Sequence, residues 1–449
     1  MMLGRGAPVI FALGVALSAT VSPIASATPG SSCAEPAPGA APERATAEQV
    51  GMDDAAVAEA VRFGVRAKAH AIQIYRHGCL VGDHGVPGDA PMPLFSASKG
   101  VTAVAVGRAV TLGYFGLDDP LGKFFPQADA EHAGITVRQV LNQTTGLHFS
   151  WPADIASLAT DAIDRTLSSP VRFAPGTTFQ YAQAVLSLLP KIIEITTGID
   201  FQRFVDEQVM SPLGIDRGDW VWLRDKVGTT SVAGGLAMRP ADLARIGQML
   251  LREGSWGGQR LLDREFLRQA VTPTPANGGY GFLWWLNAGE TYRGVNVPMP
   301  VEYPHRLFPG LPHDAYAFSG ALGQFLVVIP SRDMVIVRLG VPATIDPDNI
   351  TGFLTGTSNP DNRMLFHRAV AAIREQPEPL DDPNIPPDAV HRPGATPEER
   401  AALLDAQNVL DILLGAGVYA ADTQGAFDGV AALGTQVAAA FGATPTPPR

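Results

Sequence analysis

The sequence predicts a mixed α/β (α+β) fold: one central antiparallel sheet flanked by helices, with a mainly helical region inserted into it. Three observations carry this. Apolar runs of strand type recur near both ends of the chain, at 71–75 and 79–81 and again at 324–329 and 334–339. Each pair is joined by a short turn, His77-Gly78 in the first and Pro330-Ser331-Arg332-Asp333 in the second, which marks antiparallel hairpins. Between them, over 115–230, apolar spacing is helical and prolines punctuate the loops. Strands from both ends of the chain, with helices between, imply one sheet assembled across the insertion.

From the N-terminus, Arg5, the apolar stretch 8–17 and Ala25-Ser26-Ala27 have the form of a secretory signal over 1–27, with the mature chain starting at Thr28. A membrane anchor is the other reading, but the apolar stretch is short for a span. Residues 28–48, rich in Ala, Pro and Ser, read as a flexible arm. A main domain follows over 49–375. It starts with a helix over 52–68 (Val57, Ala60, Val61, Val65) and the first hairpin, and a helix then runs from Ser96 to Leu112. Further helices are expected from Ile135 and over 184–196, 201–209, 240–251 and 263–270. Strands are expected at 280–286 and 315–320, then the second hairpin and a closing helix over 362–375. Pro377, Pro379, Pro383, Pro386 and Pro387 mark a linker over 376–395. Thr396-Pro397-Glu398-Glu399, an N-cap threonine with proline in the first turn, starts a helical tail over 396–449.

With 449 residues and 46% hydrophobic content the chain has ample material for a large core. A net charge of -11 and no basic stripe exclude a nucleic-acid surface. No Cys/His spacing suits a metal, and His305 and His313 read as loop residues. Two readings stand open for the cysteines: Cys33 and Cys79 pair in an oxidising compartment, tying the arm to the first hairpin, or remain free thiols.

The chemistry concentrates at Ser96-Ala97-Ser98-Lys99, at the start of a helix. Residues three apart on a helix lie nearly one above the other, about 4.5 Å along its axis. A hydroxyl becomes a good nucleophile when a base takes its proton, and a lysine is that base only when neutral. Burial lowers a lysine's pKa, and a helix N-terminus also disfavours a cation. The chain has only five lysines, and Lys99 stands in an otherwise apolar helix, a poor place for an idle charge. Tyr181, after the turn Pro175-Gly176, is a candidate proton shuttle beside such an amine.

Four segments occur in order: Ser96-x-x-Lys99; Ile135-Thr136-Val137-Arg138-Gln139-Val140-Leu141-Asn142-Gln143-Thr144-Thr145-Gly146-Leu147; Pro175-Gly176 before Tyr181; and Gly234-Gly235-Leu236-Ala237-Met238-Arg239-Pro240-Ala241-Asp242-Leu243. Over 46–375 this set resembles the class C β-lactamase-related serine hydrolases, which include penicillin-binding peptidases, family VIII esterases and 6-aminohexanoate-dimer hydrolases. The resemblance implies a β-lactamase/penicillin-binding-protein-like fold, an acyl-enzyme mechanism and no cofactor. It makes Ser96 the acylated nucleophile and Lys99 the group that assists its deprotonation. Tyr181, matching the family's Tyr-x-Asn tyrosine, becomes the general base of acylation and the proton donor to the leaving group. The oxyanion hole would combine the Ser96 N–H with one from Gly320, Ala321, Leu322 or Gly323.

Two departures bear on substrate. The family asparagine is Gln183 here, a longer amide positioned to donate to Lys99 or to a bound carbonyl. The family's Lys-Thr-Gly or His-x-Gly stretch falls within Phe318–Gln324, read with Ala321-Leu322-Gly323 in register, so the cation that meets a β-lactam carboxylate is missing. The expected substrate is therefore a small-molecule ester, amide or peptide. A D-Ala-D-Ala peptidase or β-lactamase and a catalytically silent acyl- or peptide-binding receptor stand as alternatives. Trp220, Trp222, Trp284 and Trp285 read mainly as core stacking, with a site wall as the other role. An α/β-hydrolase is excluded, because no Gly-x-Ser-x-Gly elbow occurs.

Overall fold

The computed structural model describes residues 31–85, 89–149, 154, 161–295, 301–341 and 359–385, with the backbone of 392–393. The expected signal over 1–27 and tail over 396–449 lie outside the described residues. The sheet has six strands: β1 (Ala69–Arg76), β2 (Cys79–His84), β3 (Trp285–Leu286), β4 (Tyr316–Gly320), β5 (Gln324–Ile329) and β6 (Met334–Gly340). Their order is β2-β1-β6-β5-β4-β3, and every pairing is antiparallel. The join between the N- and C-terminal parts is β1 on β6, in register from Ala71 opposite Leu339 to Arg76 opposite Met334.

Strand residues alternate between two buried faces, so the sheet is a middle layer. Ile72, Ile74, Phe325, Val327 and Ile336 meet helices α1 (Asp54–Arg66) and α6 (Pro360–Ala371). Ala71, Leu326, Val328, Val335 and Val337 face the opposite core, with α2 (Ser98–Thr111) and α5 (Pro240–Leu251). Glycines set the close approaches. A Cβ on Gly247 of α5 would lie 2.8 Å from Leu326 and Val335, and one on Gly100 of α2 would lie 2.2 Å from the Phe318 ring. In the inserted region, α3 (Val137–Leu141) starts with a reciprocal capping box between Thr136 and Gln139, and α4 is Leu188–Thr197.

Several expectations are corrected. The strand expected over 280–286 is reduced to β3. Tyr280 bridges back to Trp285 around a turn in which Leu283 has φ 60°, and a Cβ on Gly281 would lie 2.0 Å from Ala270 O. The helix expected over 201–209 is α-helical only at Phe201–Val205 and becomes a π turn at Asp206–Met210. From residue 31 onward the arm expected to be flexible is tied down. Cys33 and Cys79 are bonded, with Cα atoms 4.9 Å apart. The buried Arg245 guanidinium donates to the carbonyls of Pro36, Ala37 and Ala40. The start of the expected linker also lies on the body, where Arg332 donates to Gln376 Oε1 and Glu378 O, and Arg363 to Pro383 O.

Candidate active site

Ser96 lies in a single 3-10 turn (Phe95–Ala97) that runs into α2. Phe95, just before it, takes the left-handed conformation at φ 47° and stays 38% exposed. Such backbone strain is retained where the surroundings over-determine it, and here it falls directly before the half-buried Ser96 at the start of a buried helix. Lys99, one turn on, is 1% exposed.

The Lys99 amine has three neighbours: Ser96 Oγ at 3.0 Å, Gln183 Oε1 at 2.5 Å and Ala233 O at 2.6 Å. The last two are carbonyl oxygens and only accept. A neutral amine has two N–H groups and one lone pair, so these carbonyls take both N–H groups and the lone pair is left for the Ser96 O–H. Burial draws the Lys99 pKa down to about 7, while the Asp154 charge pushes it the other way. The site therefore holds an amine that is about half in its free-base form at neutral pH.

The segments identified in the sequence assemble around this pair. Gly234 passes beside the Phe95 backbone, and the Leu236 N–H donates to Ser98 Oγ, which holds Ala233 O over Lys99. The Gln143–Leu147 loop grips the Tyr181 segment. Gln180 N donates to Gln143 O, Ala182 N to Gln143 Oε1 and Gly176 N to Thr144 O. Gly146, at φ 76°, lies where a Cβ would sit 2.1 Å from Phe173 O.

Tyr181 is 6% exposed, its ring centroid 4.8 Å from Lys99 Nζ, with Ser96 and Trp285 hydrogen-bonded to its phenol oxygen. Phe179, Tyr280 and Trp285 enclose the ring. This burial pushes the phenol up to about 12 despite those hydrogen bonds. In this resting site the Tyr181 phenol is therefore held neutral, within hydrogen-bond reach of Ser96.

Gln183 has its carbonyl end on Lys99 and gives one N–H of its amide to Tyr181 O at 2.9 Å, which leaves the second N–H of the NH₂ to donate elsewhere. In the strand-edge segment, Gly320 abuts the Ser96 turn: a Cβ there would lie 2.1 Å from Leu94 O and 2.9 Å from Ala97 N. Gly323 faces Arg338 and Asn362 instead. The register is corrected accordingly, with Phe318-Ser319-Gly320 rather than Ala321-Leu322-Gly323 at the site. Ala321 follows directly, and Leu322 turns the chain away at φ 62°. No cation enters with this register, because Phe318 packs on α2 and Trp284.

Trp284 also stacks on Tyr316 and donates to Gly100 O, Trp220 and Trp222 lie in the core, and Trp285 packs on the Tyr181 ring. His305 packs on Tyr292 and Tyr303, and His313 pairs with Asp381 on the surface. Among the described residues, no group of three or more His, Cys, Asp or Glu is arranged to hold a metal ion.

One residue of the site was missed in the sequence. The buried Asp154 carboxylate accepts from Gln183 N at 2.8 Å and Ala184 N at 2.9 Å, fixing the loop that carries Gln183 to Lys99. Desolvation raises its pKa to about 6. It borders a cavity of about 30 Å³, shared with Thr145, His148 and Ser169. No local pattern around Trp151-Pro152-Ala153-Asp154 marks it, because its partners are backbone N–H groups some thirty residues away.

Comparison with known proteins gives the family. The Beta-lactamase family profile matches residues 57–340, and the chain belongs to that family, with hydrolysis as its general chemistry. It is 32% identical to esterase EstB of Burkholderia gladioli over 149 residues, which is 28% of this chain and only 38% of the esterase. It is 26% identical over 286 residues to the 6-aminohexanoate-dimer hydrolase of Paenarthrobacter ureafaciens, covering 57% of this chain and 67% of that enzyme. The crystal structure of a penicillin-binding protein homologue from Caulobacter crescentus shares the fold, with a TM-score of 0.57 and 17% identity over 71% of this chain and 97% of that one.

Proposed function

We propose that the chain is an exported serine hydrolase that opens a carboxylic ester or small amide through an acyl-enzyme on Ser96, with the hydrolase unit spanning 49–375. The observation that carries this is the Lys99 amine, buried with two carbonyl acceptors and 3.0 Å from Ser96 Oγ. Lys99 takes the Ser96 proton as Oγ attacks the carbonyl carbon. The developing oxyanion is met by the Ser96 N–H and a backbone N–H from the turn after Gly320. Lys99 then returns the proton through the neutral Tyr181 phenol to the leaving oxygen or nitrogen as its bond to carbon breaks. Water attacks the acyl-enzyme next, giving a proton to the same pair; the acyl bond to Ser96 Oγ then breaks, Oγ takes that proton back, and the carboxylic acid leaves.

The Phe318 position favours neutral acyl groups over β-lactams, since it supplies no cation for their carboxylate. Export rests on the expected signal over 1–27 and is supported by the Cys33–Cys79 bond. Among the described residues no helix is long and apolar enough to cross a membrane.

The test is intact mass before and after a fluorophosphonate probe, with Ser96→Ala alongside, followed by turnover of p-nitrophenyl esters, short amides and nitrocefin. A single adduct on Ser96 and ester or amide turnover are expected. Nitrocefin as the preferred substrate would move the assignment to a β-lactamase. A folded protein with no adduct would favour the silent receptor.

A further inference from the structure

We propose that Arg338 is a positioning residue for the oxyanion-binding turn, holding 321–323 in the shape that presents the backbone beyond Gly320 to the acyl oxygen. This rests on the acyl-enzyme reading above. Arg338 lies within β6, opposite Ile72 of β1 and Phe325 of β5, a position where the rest of the strand is apolar. It is 1% exposed. A guanidinium keeps its charge, so burying one is tolerated only when its N–H groups are well paired.

Among the described residues none of its pairings is an ion pair: all four of its hydrogen bonds go to backbone carbonyls. Nη1 donates to Gly323 O at 2.7 Å and Leu322 O at 3.3 Å, and Nη2 to Val341 O at 2.6 Å and Ala67 O at 3.1 Å. Two of these oxygens belong to the turn that follows Gly320. The turn needs such partners because Leu322 and Gly323, at φ 62° and 88°, leave the extended conformation that pairs carbonyls across a sheet. Gln324 holds it as well, donating to Ala321 O at 3.2 Å and Gly340 O at 2.6 Å and accepting from Gly340 N. The three carbonyls of 321–323 are thus taken by two buried side chains, while Gly320 at the head of the turn abuts the nucleophile turn. A buried cation that gives two of its four hydrogen bonds to one turn is explained if that turn must not move. Misplacing a transition-state donor by about 1 Å costs on the order of a hundredfold in rate.

The experiment compares the full chain with Arg338→Met, Arg338→Lys and Gly323→Ala. Gly323→Ala places a Cβ 2.6 Å from Arg338 Nη1 and shifts the turn while leaving the charge in place. Each variant is measured for kcat and KM on p-nitrophenyl butyrate, for the pH profile, for affinity to a boronic acid transition-state analogue, and for Tm. In Arg338→Met and Gly323→Ala, kcat is expected to fall about ten- to a hundredfold. KM and the acid limb of the profile stay in place, boronate affinity falls by the same factor as kcat/KM, and Arg338→Lys recovers part of the loss. Wild-type kcat per fluorophosphonate-titrated site, with only Tm lowered, would overturn the proposal. If Arg338→Met does not fold, Gly323→Ala and Arg338→Lys decide, and unchanged kcat in both overturns it. A wild-type protein with no Ser96 adduct fails before any variant is made, and takes the acyl-enzyme reading down with it.

Discussion

Lys99 and Arg338 are both 1% exposed cations wrapped in carbonyl oxygens, yet they solve the problem of burial in opposite ways. At the start of α2 the solution is to give up the charge: burial draws Lys99 down to about 7, and two carbonyls suffice for the neutral amine. Near the end of β6 the charge stays. Burial brings Arg338 down only to about 10, and four carbonyls are gathered around it. The difference teaches what each residue is for. A lysine can release a proton and so serve chemistry, whereas an arginine offers a fixed fork of donors and so serves geometry.

The sharpest way to break this contrast is to make the first cation permanent. Lys99→Arg and Lys99→Met should each lower kcat/KM about a thousandfold or more in ester hydrolysis, since neither side chain can take the Ser96 proton. Substantial turnover by Lys99→Arg would mean that the base lies elsewhere. The stability ranking should run the other way. Arg338→Met strands four backbone carbonyls, those of Gly323 and Ala67 in buried bonds, and should cost about 3 kcal/mol or more in urea unfolding, while Lys99→Met should cost clearly less. Equal losses would erase the distinction.

Gln183→Leu keeps the volume but removes one of the two acceptors that orient the amine. A drop of about tenfold in kcat/KM is expected, with an unchanged far-ultraviolet spectrum. Wild-type activity in this variant would show that Ala233 O alone sets the lone pair.

The smallest effects concern pH. Activity should rise with pH through about 7, as Lys99 loses its proton. Asp154→Asn removes the negative charge that favours the ammonium form, so this limb should move to lower pH. A limb that stays put would make Asp154 purely a loop anchor. Because Lys99 is depressed from 10.5 to about 7, the unfolded chain binds more protons than the folded one between those values. Its contribution to stability is therefore fully present above the unfolded value and is lost as pH falls through 7. Asp154, raised from 3.8 to about 6, acts in the opposite sense, and its contribution is lost as pH rises through 6.

Much of this molecule was legible before its structure. The two hairpins, the sheet shared between the chain ends and the Ser96–Lys99 helix follow from apolar periodicity, turn residues and spacing of three on a helix, while the grouping of the site segments came from the family resemblance. Some local readings failed for local reasons, as where Gly281 and the left-handed Leu283 break a strand-like run at a close backbone approach.

Within the site, Ser96 and Lys99 were visible because they are one helical turn apart, and Gln183 and Tyr181 because they lie within a recognisable segment. Hidden were Asp154, the carbonyl of Ala233, and which residue of the 320–323 segment meets the Ser96 turn. By itself the sequence determined which residue types were available and which local periods they follow. Only the tertiary structure decided the charge state of the site. A pKa depends on how much water burial removes, and on partners such as Gln183 and Ala233, which stand 84 and 134 residues from Lys99 along the chain.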